Sequence, residues 1–381
     1  MHGFTSRRRS VLVLAGLATA VLATSTAPTM AKPRPSDPLQ RQVEAIHNAG
    51  ATGVHAEIAA PEAHDSAYAG TAGLHTVRPM PRDGRFRIGS ATKTFTATVV
   101  LQLVGERRLS LDDTVEQWLP GVVRGHGNDG SRITIRQLLQ HTSGIPDVGP
   151  EIPALNSADG YRAERSRTYT LEELVGRAMR HPPVFPPGRG WSYSNTNYTL
   201  AAVIVSKVTG RSWAREVNDR IIRPLDLEDT STPGLLMSIR GPHAHSYTGF
   251  GTGNAIDVTE LNPSMAVGSG SIISTAHDLN RFYSALLGGH LLEPAQLAEM
   301  TAAKPAPGLG AKYGLGLAEI PLPCGGSYFG HRGELLGYVT WVGATRDGAR
   351  TAVVYVTNAN GQDTERAMIT LVGTELCRPR S

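Results

Sequence analysis

Cysteine is the scarcest residue type, with only Cys324 and Cys377 in 381 residues. Two thiols cannot build a zinc site alone. There is no His-Glu-x-x-His helix and no tight His/Asp cluster, so no metal and no cofactor are expected. Beyond the N-terminus there is no Lys/Arg run interleaved with aromatics, so nucleic acid is a poor partner. After the apolar run at 11–23 no second long one follows, so no membrane span is expected in the mature chain. No repeat of solenoid period occurs. No coiled-coil seam is present either, and a monomer is expected.

What is there is a globular composition. Hydrophobic residues make up 40% and charged residues 18%, enough to bury a large core. The 42 glycines and 25 prolines call for many turns and loops. The net charge of +4 is mildly basic, in part from the N-terminal arginines, and allows only a weak, unspecific attraction to an anionic envelope.

Residues 1–31 read as a secretory signal. Arg7, Arg8 and Arg9 precede an uncharged apolar run, and Thr29-Met30-Ala31 supplies small residues for cleavage. The Ser6-Arg7-Arg8-Arg9 start also approximates a twin-arginine signal, so either export route fits. An uncleaved anchor is the alternative. Residues 32–41 are Pro-rich and polar and read as a linker, with a single domain over 42–381. In an exported chain the two cysteines are expected to pair, the alternative being two free buried thiols.

Strand-like segments come early (54–84 and 85–88) and late (337–345 and 350–357), the last two joined as a hairpin. Helical patterns fall at 42–50, 91–105, 135–140, 171–180, 199–209 and 363–375. The lobe over about 111–240 is mainly helical. The expected class is α+β, with a sheet built from both chain ends and a cleft against an inserted helical lobe.

Three pieces carry chemistry. Ser90-Ala91-Thr92-Lys93 sits where a strand turns into a helix, so Lys93 lies one turn above Ser90 on the same face. Phe95, Val99 and Leu103 mark one apolar stripe on that helix. A serine needs a base, and a lysine becomes one only when burial or charge lowers its pKa. Tyr193-Ser194-Asn195 supplies a phenol that could relay the proton, if a nearby ammonium lowers its pKa, and an amide that could hold a substrate carbonyl. His331, read as preceding a strand edge, could hydrogen-bond the phenol.

The motifs then resemble those of the penicillin-recognising serine hydrolases. The resemblance rests on Ser90-Ala91-Thr92-Lys93, on Leu138-Leu139-Gln140-His141-Thr142-Ser143-Gly144, on Tyr193-Ser194-Asn195 and on Tyr313-Gly314-Leu315-Gly316-Leu317. It covers about residues 85–377, including both cysteines. The nearest branch holds the soluble actinobacterial D-alanyl-D-alanine carboxypeptidases/transpeptidases and the class C β-lactamases. The resemblance implies a β-lactamase/transpeptidase-like fold with the active site between lobes. It implies Ser90 as acyl-enzyme nucleophile, Lys93 as its assistant, Tyr193 as general acid/base and Asn195 as amide binder. His331 would stand where many relatives have lysine, and His141 would be structural. The backbone N–H groups of Ser90 and Glu334 would form the oxyanion hole. The expected activity is a secreted, penicillin-sensitive D-alanyl-D-alanine carboxypeptidase, binding a D-Ala-D-Ala-ended peptide or a β-lactam.

One stretch departs from that branch. Its His-Thr-Gly-Thr, whose hydroxyls hold the substrate carboxylate, is His331-Arg332-Gly333-Glu334 here. Arg332 could clamp a carboxylate more strongly, whereas Glu334 would repel one. Esterases, amidases and β-lactamases on the same scaffold are therefore the alternative.

Overall fold

The computed structural model describes residues 1–3, 37–251, 253–359 and 361–379. Residues 4–36, which hold most of the expected secretory signal and the first part of the expected linker, lie outside the described residues. Helix α1 runs Pro38–Asn48, so it begins before the expected position 42. Asp37 caps it and Pro38 opens it, a pairing that fixes a helix start.

Eight antiparallel strands form the main sheet. They are β1 (Gly53–Ala60), β2 (Ala63–Gly70), β3 (Lys304–Ala306), β4 (Ala311–Tyr313), β5 (Ala318–Pro321), β6 (Ser327–Leu335), β7 (Tyr338–Ala344) and β8 (Thr351–Thr357). Their order is β2-β1-β8-β7-β6-β5-β4-β3. The two chain ends meet where β1 pairs with β8, Val54 opposite Val356. The expected late hairpin is β7–β8, with Tyr338 opposite Thr357. Both strands are buried along their whole length, because helices cover both faces.

One face packs under α1 and the C-terminal helix α7 (Gln362–Leu376), around Val54, Trp341, Val354 and Leu371. The other packs against α6 (Ala276–Leu287) and continues into the helical lobe, a core that includes Phe86, Phe95, Phe282 and Tyr355. A disulfide joins Cys324 to Cys377, tying the loop before β6 to the end of α7.

The helical elements expected in the lobe include α3 (Ile135–Leu139), α4 (Leu171–Ala178) and α5 (Asn195–Thr209). Thr134 and Thr170 cap the first two, and α5 ends at Gly210. The helix α2 (Thr92–Gly105) differs from expectation. Instead of one apolar stripe, it is buried almost all round as the central helix. Its threonines are spent inside: Thr94 donates to the Gly316 carbonyl at 2.7 Å and Thr96 to that of Gly268 at 2.7 Å. The short strands β3–β5 and the full extent of β6 were not read from the sequence.

Candidate active site

Ser90 lies in a 3-10 turn, Gly89–Ala91, that leads into α2. The turn is pressed against β6. A Cβ at Gly89 would fall 2.5 Å from the Glu334 nitrogen, and one at Gly333 would fall 2.0 Å from the Ile88 oxygen. Only glycine permits that approach, which sets the Glu334 backbone beside the nucleophile turn. β5 pairs with β6 only as far as Gly330, so residues 331–335 offer a bare edge there. The arrangement suits an oxyanion held by backbone N–H groups of Ser90 and Glu334.

Lys93 is fully buried one turn above. Its Nζ is 3.0 Å from Ser90 Oγ, 2.7 Å from Asn195 Oδ1 and 2.8 Å from the Ser269 carbonyl. Burial pulls its pKa down to about 7, against the opposing pull of Asp147. A sizeable fraction is therefore a neutral amine at neutral pH, able to accept the Ser90 proton.

The start of α5 supplies the next groups. Ser194 is its N-cap residue, yet its side chain does not cap. Asp147 does so from another loop, its Oδ1 accepting the Asn195 N–H at 2.8 Å. This fixes Tyr193 and Asn195 over Lys93, whose Nζ stands 4.7 Å from the Tyr193 ring centre. The phenol of Tyr193 points at Ser90. Its pKa does not fall as expected. Burial dominates and pushes it up, so the phenol stays protonated and can donate. Asn195 directs its carbonyl oxygen at Lys93 rather than being free for substrate, with its Nδ2 3.4 Å from Asp147.

His331 is placed differently from the sequence reading. It lies in mid-strand in β6, and its partner is not Tyr193 but Tyr313, at 2.8 Å from Nε2. The rings of Tyr193 and His331 are 6.4 Å apart. Nδ1 donates to the Arg332 carbonyl, so Nε2 accepts from the Tyr313 hydroxyl. Burial, then the nearby Lys93, lower its pKa to about 3, so it remains neutral. His141 is also buried and neutral, lowered by burial and then by Lys93. Its Nδ1 accepts from the Ser194 N–H at 3.2 Å, and its ring supports Tyr193 at 4.3 Å between centres.

Arg332 is already engaged. Its Nε donates to Glu365 at 2.5 Å and its Nη1 lies 2.7 Å from Glu334. Two carboxylates therefore surround the cation that a substrate carboxylate would need. Sequence reasoning missed Asp147, Ser269 and Glu365, and named Tyr313 only as part of a motif, without its contact with His331. The Pro146-Asp147 and Gly268-Ser269-Gly270 turns were visible signals for the first two. Nothing local marked Glu365.

A cavity of about 360 Å³ opens over Ser90, Tyr193, His331 and Arg332. Its far wall is apolar, with Leu309, Ile320, Trp341 and Ile369 among the lining side chains. A shallower hollow of about 600 Å³ adjoins it, sharing Gly310 and Ala311, but holds none of these chemical groups.

Residues 51–374 match the family Beta-lactamase. Among solved structures, a D-stereospecific amidohydrolase from Streptomyces sp. is similar, with a TM-score of 0.83 and 40% identity over 89% of this chain and 98% of that one. The D-amino acid amidase from Ochrobactrum anthropi SV3, complexed with L-phenylalanine amide, gives a TM-score of 0.75 and 26% identity over 87% and 94%. Penicillin-binding protein 4* of Bacillus subtilis is 28% identical over 326 residues, which span 80% of this chain and 67% of that protein.

Proposed function

This chain belongs to the Beta-lactamase family, within the penicillin-recognising serine hydrolases, and from that premise we propose that it is an exported amidohydrolase for D-amino acid amides and related peptides or esters. One observation carries the choice over a carboxypeptidase: Arg332 is paired with both Glu365 and Glu334. A free C-terminal carboxylate would have to displace a carboxylate already in place and approach a second. An amide or ester leaving group carries no such charge. The apolar wall around Trp341 and Ile369 suits an apolar side chain on the acyl part. The D-configuration is taken from the amidohydrolase and the amidase reported above.

The geometry supports the following reaction. The neutral Lys93 amine takes the Ser90 proton as Oγ attacks the carbonyl carbon. Charge developing on the carbonyl oxygen meets the Ser90 and Glu334 N–H groups. The protonated Tyr193 phenol donates to the leaving nitrogen and is reprotonated through Lys93. Water then attacks the Ser90 acyl-enzyme along the reverse route. The export reading rests on the N-terminal signal pattern and on the Cys324–Cys377 disulfide.

The test compares kcat/KM for D-phenylalanine amide, L-phenylalanine amide and an N-acyl-D-Ala-D-Ala peptide. The proposal expects the D-amide to lead. Release of terminal D-alanine as the fastest reaction would return the enzyme to the carboxypeptidase reading.

A further inference from the structure

On the edge of the sheet, three side chains from three elements converge. Glu57 of β1 accepts from or meets His64 Nε2 of β2 at 2.7 Å and His277 Nδ1 of α6 at 3.2 Å. The three candidate ligand atoms all lie within 4.8 Å of one another. Tetrahedral zinc, with bonds of about 2.0–2.1 Å, sets neighbouring ligands about 3.3 Å apart. Small side-chain rotations would therefore complete the geometry.

The surroundings favour a cation. Glu57 is buried, only 3% exposed, and a buried carboxylate needs a counter-charge. No Lys or Arg pairs with it among the described salt bridges; its partners there are the two imidazoles. Both histidines are about half exposed, so an ion can enter from solvent. A cavity of about 310 Å³ adjoins the cluster and is lined by Glu57, His64, His277, Asn280 and His290. Asn280 gives a second, independent sign. It is 2% exposed, and its Nδ2 donates to the Glu57 carbonyl at 3.1 Å. That bond fixes the amide orientation and leaves the buried Oδ1 without a protein partner. A water on the open position of a three-ligand metal would supply a donor for it.

We propose that Glu57, His64 and His277 form a binding site for a divalent ion of the zinc class, separate from the active site. The two-imidazole, one-carboxylate set suits zinc better than calcium or magnesium, which prefer all-oxygen shells. The catalytic cavity and this one share no lining residue. The ion would cross-link the edge hairpin β1–β2 to α6. Four of the first five β2 residues are exposed, so this strand has little other anchorage on its outer side. Sequence spacing hid the cluster, because His277 is 220 positions from Glu57.

The test is zinc titration by calorimetry on the full, untagged protein after EDTA treatment. One zinc per chain is expected, with a rise in Tm. His64→Ala and His277→Ala should each weaken binding by about tenfold or more and remove the Tm rise. Both side chains are half exposed, so these variants should fold, and amide hydrolysis should be unchanged in them. Absence of stoichiometric zinc binding, or binding unaffected by both substitutions, would overturn the proposal.

Discussion

The division of labour at the active site is set by burial acting on two neighbouring groups in opposite directions. It brings Lys93 down to about 7 and pushes Tyr193 up. On the proposed mechanism the amine is thereby the base and the phenol the acid. Tyr193→Phe should then cost more with poor leaving groups than with good ones. We expect kcat/KM for an amide to fall by roughly 10²-fold or more, and for a p-nitrophenyl ester by much less. Equal losses on both would show that the phenol does not protonate the leaving group. Arg332 supports a second prediction. Glu365→Gln removes one of its two carboxylates, so activity on carboxylate-ended peptides should rise several-fold relative to amides. A ratio that stays fixed or falls would mean that Arg332 has no part in choosing substrates. The grouping of Ser90, Lys93 and Tyr193, which the structure brings together, was legible because their motifs are local. The direction of the Tyr193 shift and the partner of His331 were not, since both depend on what the rest of the chain packs around them.

At the scale of elements, the site depends on how closely one turn lies against one strand. Gly89 and Gly333 permit a backbone contact that no Cβ could share. Gly333→Ala should push β6 from the Ser90 turn, costing roughly 1–3 kcal/mol of stability and slowing acylation at least about tenfold. Urea unfolding and stopped-flow acylation would measure the two effects. An unchanged acylation rate would remove Glu334 from the oxyanion hole. Long periodic elements such as α2, α5, β7 and β8 were readable from pattern and caps. The short strands β3–β5 were not, because three or four residues carry too little period to read. The error about the stripe on α2 has a related cause: threonines look polar in sequence, but their hydroxyls are satisfied by internal carbonyls.

For the whole molecule, the sheet is completed by pairing an early strand, β1, with the last strand, β8, and the disulfide secures the later end. It spans 53 positions, for which chain-entropy arguments give about 4 kcal/mol. Cys324→Ala with Cys377→Ala should lower unfolding stability by up to that amount in urea, while Ser90 chemistry survives in the folded fraction. No loss of stability would indicate that the tail is held by α7 alone. The two-ended sheet could be anticipated from strands at both ends and helices between. The full pairing order could not: only the β1–β8 pairing joins distant positions, and the run from β3 to β8 follows chain order but begins with strands too short to read.

On the proposed mechanism a buried Lys93, with its pKa lowered to about 7, activates Ser90. The most direct test of this is the pH dependence of labelling by a fluorophosphonate, followed by intact mass and peptide mapping. A lysine with lowered pKa is the active base only when deprotonated, so labelling should be slow at acid pH and rise through about pH 7. A single adduct on Ser90 with that profile is expected, and it should be lost in Lys93→Met. Labelling of another residue, or of Ser90 at an equal rate with and without Lys93, would contradict the mechanism.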